Sequence, residues 1–336
     1  MRVGGGSELA RMQMLQKQAV ATRNRLDVAA KELTTNLKSN RFEASGGNLT
    51  RLFALERSLD RNAVFSQTIS LTELRLEIMQ ESFGQMLKPA ENLALDLTQA
   101  AGLGDYSGAM LHATTARNAF VDAVGLLNTQ VAGQSLFAGT ETDSAALVDA
   151  EAILADLQTA VGGATTAAAA IAAVDAYFAP PGGGFFTSAY VGSTDNLTPV
   201  DIGEGQRLDY GMRADEERIV ALLRAHATAA VVADGALAGD VPERLAMIAE
   251  AGARTLAAKE GVLDLRSDVG ILQERVEIAK AGRNSERETL DLARAKIVAV
   301  DPLEAASAFQ QLESQLESIY MVTARLASLR FANFMR

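Results

Sequence analysis

Apolar residues recur along this chain at alternating steps of three and four, the spacing of one face of an α-helix. The first such stretch covers residues 8–37. It places Met12, Leu15, Ala19, Thr22, Leu26, Ala29, Leu33 and Asn36 on a heptad seam. Small and polar seam residues predict a helix that is marginal when alone. Residues 38–48 are rich in Gly, Ser and Asn and predict a loop. A very long helix is predicted over 49–101, with its best seam at Leu76, Met79, Phe83, Met86, Ala90, Leu93, Leu97 and Ala100. Leu55, Phe65 and Ile69 extend the seam upstream, and Pro89 predicts a kink rather than an end. After a Gly-rich turn at 102–108, a third helix is predicted over 109–134. Its apolar face carries Met110, Ala113, Phe120, Val124, Leu127 and Val131.

The texture changes between residues 137 and 210, where Gly, Thr, Ala, Pro and Asp dominate. The run Pro180-Pro181-Gly182-Gly183-Gly184 is a firm break. Residues 185–191 and 196–210 read as short strands. Residues 157–174 read as an Ala-rich helix interrupted at Gly162-Gly163. Helix returns over 215–232 and again after Asp240-Val241-Pro242-Glu243. There the seam Val269, Leu272, Val276, Ala279, Arg283, Glu286, Leu290, Ala293, Ile297 and Val300 contains one polar layer, Arg283 with Glu286. Such a layer can set register. The sequence Asp301-Pro302-Leu303-Glu304 restarts a helix: Asp301 suits the N-cap, Pro302 the first turn, and Glu304 the third position.

These patterns predict a mainly α fold. The N- and C-terminal regions form a long antiparallel helical rod or coiled-coil bundle, with a small inserted α/β or β-rich outer domain. The implied organisation is a terminal helix within 1–45, one half of the rod over 46–138 and the insert over 139–212. The other half of the rod covers 213–301, and a closing helix covers 302–336. The two terminal helices are each cut off from the rod by a break and are weak alone. They are expected to be disordered in a monomer and to order on pairing or on meeting neighbouring copies. Their seams are the candidate assembly surface: Met12, Leu15, Leu26 and Leu33 at one end, and Phe309, Leu312, Leu316, Ile319, Leu326, Phe331 and Phe334 at the other.

Composition narrows the chemistry. The net charge is −11, which argues against nucleic acid and against an anionic membrane surface. Aromatic residues are only 5% and Trp is absent, so a ring-lined ligand pocket is not expected. There is no Cys, which excludes thiol catalysis and Cys-based metal sites. His112 and His226 lack the spacing of a zinc helix, no G-x-S-x-G occurs, and no Lys-Ser or Lys-Thr follows Gly182-Gly183-Gly184. No enzymatic activity, metal or cofactor is expected. The uncharged run 157–174 is short of the roughly 20 apolar residues of a membrane span. No apolar stretch of the Sec type follows Met1-Arg2-Val3-Gly4-Gly5-Gly6-Ser7.

Two stretches resemble the flagellin family. Asn128-Thr129-Gln130-Val131-Ala132-Gly133-Gln134-Ser135-Leu136-Phe137-Ala138-Gly139-Thr140-Glu141-Thr142-Asp143 is similar to the NTQVGGxYLFAGTxTD pattern of the family's hook-associated branch. The tail from Phe309-Gln310-Gln311-Leu312 to Phe331-Ala332-Asn333-Phe334-Met335-Arg336 resembles the family's closing helix. Tyr210-Gly211-Met212-Arg213-Ala214-Asp215 resembles its return from the outer domain. Residues 35–41 and 44–48 stand where the family commonly carries an SGKRI-like turn and a DDP segment. The resemblance implies an extracellular structural protein of the flagellum, exported unfolded through the flagellar type III apparatus. Its implied partners are hook-associated protein 1, flagellin, other copies of itself in a ring and an export chaperone. A filament flagellin is the alternative within the family, and an unrelated helical binding or adhesion module is the alternative outside it.

Overall fold

The computed structural model describes residues 4–334, with side-chain surroundings over 10–329. Its helices fall into two compact units: described residues up to 63 together with those from 284 onward, and residues 64–283.

In the first unit, α1 (Gly4–Thr35) packs along α9 (Pro302–Phe334). Asn36 ends α1 with φ of 55°, a left-handed conformation that Asn tolerates better than most residues. Asn36 is therefore a terminator and not the seam residue that spacing suggests. The N–H of Lys38 donates to the Val298 carbonyl at 2.8 Å, and that of Val300 donates to the Asn36 carbonyl at 3.1 Å. Leu37 and Ala299 thus pair as a one-residue antiparallel bridge. The expected loop 38–48 contains a helical turn, α2 (Arg41–Ala44), because the Asn40 side chain accepts from the Glu43 N–H. Asp301 caps α9 as expected: its carboxylate accepts from Leu303 N at 2.8 Å and Glu304 N at 3.4 Å.

Helices α3 (Thr50–Gly102) and α8 (Val241–Val298) contribute to both units. Within the first unit, the buried Asn62 amide of α3 donates to Glu286 of α8 at 3.2 Å. This places a polar crossing where the α8 seam is interrupted.

In the second unit the α3 seam is buried along its whole length, Leu76 to Ala100, with Pro89 inside a continuous helix. Each large apolar side chain so buried contributes about 1.5–3 kcal/mol. Helix α4 (Tyr106–Leu127) is capped by Asp105 and ends at Leu127, seven residues short of the expected end, with Asn128 as its C-cap. Residues beyond it turn back as a hairpin, β1 (Gln130–Val131) with β2 (Gln134–Ser135). Ala132 and Gly133 make the two-residue loop, both with positive φ, 51° and 77°. Two left-handed residues in succession cannot continue a helix.

Two further helices follow, α5 (Ala150–Val161) and α6 (Ala167–Tyr177), broken at Gly162-Gly163 as the sequence indicates. The strand expected at 185–191 is instead a turn of π-helix over Phe185–Ala189. Ring packing dictates this: Phe185 is fully buried and lies 5.2 Å from both Phe178 and Phe186. Only Tyr190 keeps strand character, bridging to Leu147. Of the expected 196–210 strand region, β3 (Val200–Gly203) and β4 (Gln206–Leu208) form an antiparallel ribbon. Helix α7 (Glu217–Ala233) then packs on α4, α5 and α6. The fold is mainly α, with a small strand-containing region.

Candidate assembly surface

In the terminal pair the expected seam positions of α1 are shallowly covered. Thr22 and Ala29 are its buried members, Leu15 and Leu26 are half-buried, and Met12 and Leu33 are each 36% exposed. On α9, Phe309, Leu312, Leu316, Ile319 and Leu326 are half-buried, while Ala305 is buried. Ala305 was legible, since it lies one step of four before Phe309. The side chains of Phe331 and Phe334 lie outside the described ones. The opposite faces carry large apolar groups in solvent: Met14 is 62% exposed and Val20 57% on α1, and Met321 is 65% and Leu329 61% on α9. A two-helix pair that covers one side of each helix leaves a second apolar side open.

In the second unit the stretch 128–143 meets the return segment 210–215. The Asn128 side chain clamps Leu147, accepting from its N–H at 2.8 Å and donating to its carbonyl at 3.0 Å. Arg75 of α3, 8% exposed, donates to the Gln134 side chain and to the Tyr210 hydroxyl. A guanidinium needs such acceptors when buried. Phe137 packs edge-on against Phe83, with ring centres 5.7 Å apart. The Ala214 N–H donates to the Phe137 carbonyl at 2.9 Å, and Ala138 bridges to Arg213. Gly139 has φ of 63°, and a Cβ there would collide with the carbonyls of Ser193 and Asp195. Arg213 completes the knot through Asp215 at 2.7 Å and the Thr194 carbonyl at 2.6 Å, and the paired carboxylate holds its pKa up. The role of Arg75 is invisible in sequence, because its acceptors lie 59 and 135 residues away.

Among the described residues, no three His, Cys, Asp or Glu side chains converge as metal ligands, and no helix is long and apolar enough to cross a membrane. His226 is wholly buried in α7, and neither ring nitrogen has a hydrogen-bond partner. Burial pushes its pKa down to about 4, so it is neutral at pH 7. His112 lies 3.9 Å from Asp96 on the surface.

Residues 255–334 match the family model described as the bacterial flagellin C-terminal helical region. Two solved structures share its fold. One, from Vibrio parahaemolyticus and described as a flagellar hook-associated protein, is 16% identical with a TM-score of 0.52; the match covers 73% of this chain and 95% of that one. The other is Bacillus cereus FlgL, 13% identical with a TM-score of 0.50, covering 72% of this chain and 100% of that one. No curated protein matches by sequence.

Proposed function

We propose that the chain is a non-enzymatic structural protein of the bacterial flagellum, of the hook-associated protein 3 kind. In this reading it joins the hook, through hook-associated protein 1, to the flagellin filament. The observation that carries it is the flagellin C-terminal match over 255–334, which spans most of α8 and the whole of α9. The two hook-associated folds and the 128–143 stretch favour the junction over the filament.

The physics suits an exported assembly part. The chain has no Cys to cross-link during passage. Its terminal helices bury one shallow seam and expose a second apolar side, so neighbouring copies, hook-associated protein 1 and flagellin supply the missing cover. The protein therefore leaves through the flagellar type III apparatus unfolded, with or without a chaperone on its ends, and locks into a ring outside the cell. One observation favours the filament alternative: the matching family model is that of flagellin itself. Deleting the gene separates the two. The junction reading predicts intact hooks and flagellin released into the medium; normal filaments in the deletion strain overturn it.

A further inference from the structure

The bridge between Leu37 and Ala299 carries two recesses of opposite charge. One, of about 250 Å³, is lined by Lys31, Lys38, Arg41 and Arg294, with Glu56 as its one carboxylate. The other, of about 280 Å³, is lined by Glu32, Glu43, Asp301 and Glu304. Lys38 lines both, so they are neighbours on one joint. Four cations around one recess stand out in a chain of net charge −11. Part of this charge is already used within the chain: Arg41 pairs with Glu56 at 3.3 Å and Arg294 with Asp291 at 3.1 Å. Glu32 accepts from the Ser39 N–H at 2.6 Å, and the Asp301 carboxylate caps α9. Lys31, Lys38 and Glu304 make no ion pair among the described residues.

We infer that the basic recess of one copy receives the acidic recess of the next, head to tail, at the joint between terminal helices and rod helices. This rests on the ring reading above and names the contact that closes the ring. A single exposed ion pair contributes little. Several charges arranged with complementary sign instead set register and exclude wrong partners, and they steer the encounter. A surface that carries both signs side by side repels its own parallel overlay and accepts a copy displaced by one recess. A head-to-tail contact of this kind generates a ring when its rotation closes.

The absence of Cys makes the test clean. Purified full-length Lys31→Cys and Glu304→Cys proteins are oxidised separately and as a mixture. The inference predicts a disulfide-linked heterodimer in the mixture, at a yield several-fold above either protein alone. It predicts a ladder beyond dimers from the double variant. The heterodimer yield should fall about fivefold when Arg294→Glu is added to the Lys31→Cys protein, or when salt is raised to about 0.5 M. No heterodimer, a yield indifferent to Arg294→Glu and salt, or a double variant that stops at dimers each overturns it. Circular dichroism of every variant confirms that the helices are intact. The junction reading fails separately, by absence of the chain from the hook–filament boundary in cells.

Discussion

The N–H of Val300 donates to the carbonyl of Asn36 at 3.1 Å, joining the end of the first helix to the residue before the Asp301 cap of the last. The two breaks that isolate the terminal helices in sequence are therefore one structural joint. Asn36 holds it with φ of 55°. Asn36→Gly should leave stability within a few tenths of a kcal/mol, whereas Asn36→Val should cost about 1–2 kcal/mol, because a β-branched residue is strained there. Denaturant unfolding checks the cost. Hydrogen exchange checks the place: the Val300 amide should lose protection in Asn36→Val alone.

Asn128 does for the second unit what Asn36 does for the first. Its amide satisfies both the N–H and the carbonyl of Leu147. Asn128→Ala leaves both groups without their partner and should cost about 1–3 kcal/mol. Asn128→Asp keeps the acceptor for the Leu147 N–H but loses the donor, and should fall between. Thermal melts of the three proteins at one pH give the order.

His226 gives stability a pH dependence of known sign. Its folded pKa of about 4 lies below the unfolded value near 6.5, so the unfolded chain binds the extra proton. The neutral ring's contribution is fully present above pH 6.5 and is lost as pH falls towards 4. The gap is worth roughly 3 kcal/mol at the acid end. His226→Leu should therefore unfold less readily than the parent at pH 4 to 5, with a difference that shrinks as pH rises to 7. Equal differences at pH 5 and 7.5 would show that the ring does not titrate across folding.

The shallow terminal seams make a kinetic prediction. In dilute solution, limited proteolysis should nick within α1 and α9 before it cuts the second unit, where α3, α4 and α7 share one buried core. Protection of both terminal helices at low protein concentration would contradict the proposal that they lock on assembly.

How much of this was legible depended on sequence distance. The seam from Leu76 to Ala100 is long and strictly periodic, so it declared itself, and Asp301 announced its cap. The hairpin after Asn128 hid because its turn is Ala132-Gly133 rather than Asn-Gly, so the helical spacing of Leu127 and Val131 ran on through it. Residues 185–191 carry strand-like aromatic and β-branched residues, but contacts among Phe178, Phe185 and Phe186 decide their shape. The candidate surface was half legible. Its apolar seams follow local spacing, while the paired recesses bring together residues from 31 to 44 and from 294 to 308 that no local pattern links.

The proposed role puts one band of this protein between hook and filament. Thr165 is exposed in the turn between α5 and α6, and a Thr165→Cys protein carries the chain's one thiol. Gold labelling of that thiol on flagella from cells expressing the variant locates it by electron microscopy. A junction protein carries label confined to a narrow band at the hook–filament boundary. Label distributed along the filament would contradict that role and establish the filament reading instead.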